Sequence, residues 1–253
     1  MKINAISVAL LDVQRDHRHF NRWYDMDHMP EHVSKADVLC GNRYVATGPT
    51  RRAAGVLADP LTGGHPPYAT IYSYGGPLDF RDEAALAGWT DKDRGIVRAG
   101  RYWQPGTVGH GSAWRHVQAQ ARRSLHVSED AIAYLPHRTV VFSIGRVADR
   151  EKAAAWWQAT QADAILDLEG VVAVRTFAPA DTADADLMLH LVLSDADPVT
   201  TIGRIDDMRT AQRLTGRFPA HRGEYEQVAL LPYERIVPFQ YDFIDDLDLS
   251  DAG

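Results

Sequence analysis

Hydrophobic positions recur along this chain with two alternating periods. From Ile3 to Val13, Ile6, Val8 and Leu10 share one side while Ala5, Ala9 and Leu11 take the other, as in a strand covered on both faces. Phe20, Trp23, Tyr24 and Asp27 then fall at i, i+3, i+4 and i+7. That spacing predicts a helix from Phe20 to Met29, ended or kinked at Pro30, because proline lacks the donor and crowds the preceding turn. Cys40 to Gly48 reads as a short strand, residues 50–67 as an excursion rich in glycine and proline, and Tyr68 to Tyr74 as a strand of aromatic and β-branched residues. A second helix is expected from Asp79 to about Arg98, and Tyr102 to Val117 is strand-like. The cycle then repeats: strand Thr139–Val147, helix Glu151–Leu168, strands Val171–Phe177 and Leu187–Leu193, helix Pro198–Leu214 and strand Tyr225–Val237.

Both halves therefore read β-α-β-β-α-β. Trp23-Tyr24 matches Trp156-Trp157 at an offset of 133, and Ile6 matches Phe142 at 136. The offset drops to 119 when Tyr72 is set against Leu191, most of the difference being the 50–67 excursion. The expected fold is α+β: two tandem ferredoxin-like modules whose antiparallel sheets pack together as an α+β barrel. Each such sheet carries its helices on one face and leaves the other apolar, so pairing two sheets covers both and can join their edges. The expected organisation is a first module at 1–120, a linker at 121–137, a second module at 138–238 and an acidic tail at 239–253. One irregular α+β domain with accidental periodicity is the alternative.

Composition narrows the classes of function. The chain has 253 residues, 27 basic against 34 acidic for a net charge of −7, and 45% hydrophobic residues. An acidic balance argues against nucleic-acid binding and against docking on an anionic membrane. No apolar run approaches the ~18 residues that span a bilayer, and polar residues interrupt the first segment, so neither a membrane anchor nor a secretory signal is expected. Cys40 is the only cysteine, which excludes an intrachain disulfide and fits a reducing, cytoplasmic setting. The aspartate-rich end from Asp242 reads as a frayed, solubilising tail, with Phe239, Tyr241 and Phe243 able to pack back.

Chemistry concentrates in the first half. Four of the 11 histidines are His17, His19, His28 and His32, beside Asp16, Asp25, Asp27 and Glu31. Histidine titrates near neutrality and is the default acid or base. Asp25 precedes His28 by three residues and could orient its imidazole, Asp27 is the alternative, and His28 and His32 share a face if the helix continues. Tyr24 or Tyr72 could donate a hydroxyl, and Arg43 could hold a carboxylate or oxyanion. Each has a structural alternative: a capping histidine, core aromatics, or an Arg43 salt bridge to Asp25 or Asp27. His17 and His19 are expected in solvent. His28-x-x-x-His32 has ligand types suited to zinc or iron, but Met29 replaces the glutamate of the zinc-protease motif. No serine-hydrolase elbow, phosphate loop or dinucleotide fingerprint is present.

The run Phe20-Asn21-Arg22-Trp23-Tyr24-Asp25-Met26-Asp27-His28-Met29-Pro30-Glu31-His32, followed by Arg43-Tyr44, resembles the signature of the EthD family, within the dimeric α+β barrel superfamily of ferredoxin-like folds. The resemblance implies a barrel pocket with His28 as its acid/base group and with Trp23, Tyr24, His32, Arg43 and Tyr44 at or near it. The second half has Gln161 near the position matching His28 and lacks the H-x-P element, which points to one site per chain. Double modules of this length also resemble the chlorite dismutase and coproheme decarboxylase group, whose haem is bound through a second-half histidine; His190 and His221 are available here, with His137 at the boundary. The expectation is a cofactor-independent lyase, isomerase or cyclase acting on a hydrophobic, carbonyl-bearing small molecule, assembled as a homodimer. His28 is its acid/base, Asp25 or Asp27 the orienting carboxylate, Arg43 and Tyr72 the polarising groups, and Trp23, Tyr24, His32 and Tyr44 the pocket walls. A haem- or metal-dependent oxidoreductase and a non-catalytic binding protein are the alternatives.

Overall fold

The alternation of the strands resolves, in a computed structural model, into one closed antiparallel barrel. Residues 2–34, 37–55, 64–76, 100–101, 103, 107–180, 186–216 and 225–247 are described. The strands are β1 (Ala5–Val13), β2 (Val38–Val45), β3 (Tyr68–Tyr74), β4 (Thr107–Ala121), β5 (Thr139–Val147), β6 (Val171–Pro179), β7 (Leu187–Ser194) and β8 (Tyr225–Arg235). They close in the order β1-β3-β2-β8-β5-β7-β6-β4. The fold is thus mixed α+β, and the order β4-β1-β3-β2 of the first half recurs as β8-β5-β7-β6 in the second. Each fourth strand also pairs across the halves, β4 with β6 and β8 with β2, which closes the barrel. The seams differ in length: β2 and β8 share only Tyr44↔Arg235 and Val45↔Glu234.

Alternation puts Ile6, Val8 and Leu10 inside the barrel with Tyr44, Ile71, Trp114, Phe142, Phe177, Leu191 and Leu231. The outer faces meet helices. Helix α1 (residues 17–33) covers β1, β3 and β2 through Phe20, Tyr24, Val45 and Tyr68. Residues 150–166 form α3, and α4 is Pro198–Leu214; they cover the second half through Trp157, Ile165, Ile202, Ile205 and Leu230. The short α2 (Gly48–Arg52) lies in the 50–67 excursion, whose residues 56–63 are outside the described set. The helix expected from Asp79 to Arg98 also falls outside it, and the strand expected from Tyr102 begins at Thr107.

Three segments depart in detail from their expected form. Of the two outcomes expected at Pro30 the helix does not end: α1 runs over residues 17–33, with a π-turn, Tyr24–His28, just before the proline. The Met29 N–H bonds five residues back to the Tyr24 carbonyl, so the ladder is already wider where the proline ring enters. Helix α3 carries a π-turn at the matching place, Gln158–Ala162, with Asp163 after it, so the proline is not its cause. The tail is not frayed as far as Leu247. Tyr241 and Leu247 are buried, residues 242–246 form a 3-10 turn, and the Arg51 guanidinium donates to the Leu247 carbonyl at 2.7 Å. Nor is the 121–137 connection passive, since its turn Glu129–Tyr134 inserts Ile132 into the barrel core.

Candidate functional site

Helix α1 lays an aromatic face on the outer side of β2 and β3. Gly41 makes the approach possible: a Cβ there would come within 2.3 Å of the Met29 sulfur. Beside that contact the rings of His28 and His32 meet at 4.2 Å between centroids, nearly edge to face. Trp23 stacks on His28 at 4.8 Å, and Tyr24 meets it edge-on at 4.7 Å. His32 in turn lies 4.9 Å from Tyr72. The Tyr72 hydroxyl donates to that of Tyr24 at 3.2 Å, and burial raises its pKa well above the ordinary phenol value, so it stays protonated. His28 and His32 are 8% and 3% exposed, which places both imidazoles in the protein rather than in bulk water. Phe20 and Trp103 extend the same aromatic group.

The expected carboxylate partner is absent from this cluster. Asp25 does not orient His28, because both its oxygens are engaged elsewhere: Oδ1 pairs with Arg43 Nη1 at 2.5 Å, and Oδ2 accepts from the Tyr241 hydroxyl at 2.5 Å. Burial and this contact push the Tyr241 phenol up to about 12. Asp27 pairs with Arg101 near the surface at 2.7 Å, and Glu31 joins the same guanidinium. Arg43 is likewise no substrate clamp. It bonds the Asn21 carbonyl and side-chain oxygens as well as Asp25, and its guanidinium lies 4.3 Å from the Tyr24 ring centroid. Among the described residues the carboxylate that this buried cation pairs with is Asp25.

Tyr44 also leaves the expected group. Strand alternation turns it away from Arg43 and into the barrel, where its hydroxyl bonds His137 Nε2 at 2.8 Å. His17 is buried rather than in solvent, with Nδ1 3.0 Å from the Tyr68 hydroxyl, and burial lowers its pKa. His19 is exposed and pairs with Asp16, as expected. The structure thus unites His28, His32, Trp23, Tyr24 and Tyr72, sets the Arg43–Asp25 pair against the Tyr24 ring, and separates Asp27 and Tyr44 from the cluster. Residues that sequence reading missed are Asn21 and Tyr68, which share hydrogen bonds with His17, and Tyr241, which lies 216 positions from its partner Asp25. Asn21, a polar residue one position from the helix's apolar stripe, is the only one of these with a local signal.

No family model and no curated protein matches the chain. Solved structures do match in fold. A provisionally assigned chlorite dismutase aligns with a TM-score of 0.53 at 11% identity, over 93% of this chain and 96% of the other. A provisionally assigned monooxygenase from Fusobacterium nucleatum aligns at 0.49 and 11%, over 94% and 93%. A haem-binding protein from Thermus thermophilus aligns at 0.47 and 10%, over 94% and 93%. The chain has the dimeric α+β barrel fold, built of ferredoxin-like modules. This corrects one expectation: a fold shared with a chlorite dismutase, the group whose resemblance implied haem, no longer supports independence from a cofactor.

The residues here test that implication. His190 is fully buried, its Nδ1 lies 3.0 Å from the Thr176 hydroxyl, and its Nε2 has no hydrogen-bond partner. Burial lowers its pKa to about 3, so the imidazole is neutral, which is ligand chemistry. Space is what it lacks. Trp157 stacks on the ring at 3.8 Å and 3°, and Ile165, Ile202, Ile205 and Leu230 fill the gap between helices and sheet. Tyr225 rests on Gly145, where a Cβ would come within 2.3 Å of its ring. The packing around His190 does not fit a macrocycle, and no haem chemistry is assigned to it. For a smaller metal, no group of three or more His, Cys, Asp or Glu side chains comes together among the described residues.

Proposed function

We propose that the protein is an enzyme that moves a proton on a hydrophobic small molecule bearing a carbonyl or a phenolic oxygen, with His28 as acid/base and His32 as its partner. The observation that carries this reading is the contact of two nearly buried imidazoles at 4.2 Å inside a box of Trp23, Tyr24 and Tyr72. Two imidazoles in contact can pass a proton between them, one acting as base while its neighbour acts as acid. The Tyr24 hydroxyl, which accepts from Tyr72, is the donor of that pair for a developing enolate or phenolate. Apolar rings with a few convergent polar atoms suit a flat, greasy substrate.

The test is deuterium incorporation from heavy water into the acidic carbon of a panel of aryl ketones and hydrophobic 1,3-dicarbonyl compounds. The wild type should accelerate exchange of at least one compound, and His28→Gln, checked for folding by circular dichroism, should lose about a hundredfold of that rate. Unchanged exchange in His28→Gln removes it from the mechanism. A second reading, an oxidoreductase, rests on the fold shared with the provisionally assigned chlorite dismutase. A Soret band on titration with haemin, lost on replacing His28 or His32, would displace the first reading.

The same proposal includes membership of an EthD-like family, descent of the two halves from one duplicated module, and module limits at 1–120 and 138–238. The recurrent strand order and the matching π-turns support the duplication. A homodimer would form through surfaces outside the barrel, since one chain closes it. The unpaired Cys40 supports a cytoplasmic setting.

A further inference from the structure

The barrel interior holds a cation that no carboxylate balances among the described residues. Arg175 on β6 shares its face with Ala173 and Phe177 and stands opposite Leu191 and Ala119, all parts of the inner core or packed on it. It is 5% exposed, its guanidinium lies 4.8 Å from the Phe177 ring centroid, and its Nη2 is buried without a hydrogen-bond partner. Burial lowers its pKa only to about 10, so it stays charged at neutral pH. The ionisable groups acting on it are the Cys40 thiol and the Tyr44 phenol, both neutral. Each neighbour already has a partner: Cys40 bonds Ser73, Tyr44 bonds His137, and His137 Nδ1 bonds the Leu135 carbonyl at 2.8 Å. His116 lies 3.6 Å from Glu129, a half-exposed carboxylate that accepts from the Ala119 N–H. No described carboxylate lies within ion-pair distance of Arg175, and the nearby Arg235 adds a second positive charge that acts on Cys40, Tyr44 and His137.

A lone charge in an apolar interior costs several kcal/mol unless a counter-ion or hydrogen bonds offset it. A cleft of about 750 Å³ is bounded by Leu125, Leu135, His137, Arg138, Val172 and Arg235, and so reaches His137, the interior partner of Tyr44. We propose that the barrel interior at Arg175 is a binding site for a small oxyanion, entered from this cleft. The ligand class follows from the guanidinium, whose planar fork of donors matches a carboxylate or an inorganic oxyanion. The site is separate from the His28 cluster, which lies outside the barrel under α1.

Thermal unfolding is followed by circular dichroism in a series of acetate, nitrate and phosphate concentrations at constant ionic strength, made up with sodium fluoride. The wild type should gain several degrees with at least one of these anions and then saturate, as a ligand of the folded state requires. Preference for acetate would indicate an organic carboxylate, and preference for phosphate or nitrate an inorganic ion. Arg175→Met should lose the dependence and, in the anion-poor buffer, melt no lower than the wild type, because it removes the uncompensated charge. Arg175→Lys, which keeps the charge without the fork, should raise the half-saturating concentration at least tenfold, and it carries the test if the methionine variant does not fold. The proposal is overturned if every salt acts alike in wild type and variant. It is also overturned if the wild type shows no dependence while Cys40→Ala acquires one, which would make the thiolate the counter-ion.

Discussion

Replacing Asp25 by asparagine would leave the Arg43 guanidinium buried at 5% exposure, with only the oxygens of Asn21 and the ring of Tyr24 for company. Breaking one side of a buried pair strands the other charge, so Asp25→Asn should cost about 3–5 kcal/mol in urea unfolding. Tyr241→Phe removes one hydrogen bond to the same carboxylate and should cost about 1.5–3 kcal/mol. The two losses should not add, because they act on one group. Residue types alone were enough to bring His28, His32, Tyr24 and Tyr72 to one place, since a helix face and a strand face each have a fixed period. They offered Asp25 two partners, His28 and Arg43, without deciding between them. Asp25 is three residues from His28, yet it pairs with Arg43, the structural alternative, and also with Tyr241, which only the folded topology brings close.

At the scale of elements, β3, β5 and α4 coincide with the limits read from β-branched and aromatic runs and from helical spacing. The departures have local causes. Periodicity assumes an α-helical ladder, and the π-turns in α1 and α3 each break that assumption in mid-helix. Tyr44 was misplaced because a motif places residues on a strand without saying which face each takes. Close approach is equally invisible in a sequence, and it is the basis of a test. A Cβ at Gly145 would come within 2.3–2.4 Å of two atoms of the rigid Tyr225 ring and 2.6 Å of its hydroxyl oxygen. Gly145→Ala should therefore destabilise by about 1–3 kcal/mol. Gly111→Ala on β4, where nothing lies within 4 Å of the added carbon, should be neutral or mildly stabilising in the same denaturant series.

For the whole molecule, burial of neutral histidines sets the response to acid. Burial lowers His65 and His190 to about 3 and His137 to about 4, from an ordinary value of 6.5 that they regain on unfolding. Below pH 6.5 the unfolded chain binds protons that the folded chain refuses. Stability is therefore full above that pH and falls on acidification until each folded value is reached, by about 1.4 kcal/mol per pH unit for each histidine. Unfolding free energies measured from pH 7.5 to 4 should be flat at first and then drop. His137→Gln should make the drop shallower by one proton's worth, and an unchanged slope would show that His137 takes up its proton while folded.

The seams of the barrel are unequal. Six or more residue pairs join every adjacent pair of strands except β2 and β8, which share two. A hoop gives way at its weakest joint, and the free energy of parting these two staves is a small fraction of that needed to unravel the rest. Breathing of the wall is thereby confined to one line, between Tyr44 and the strand leading to Arg235. A guest could come and go along that line while the core on the far side stays dry.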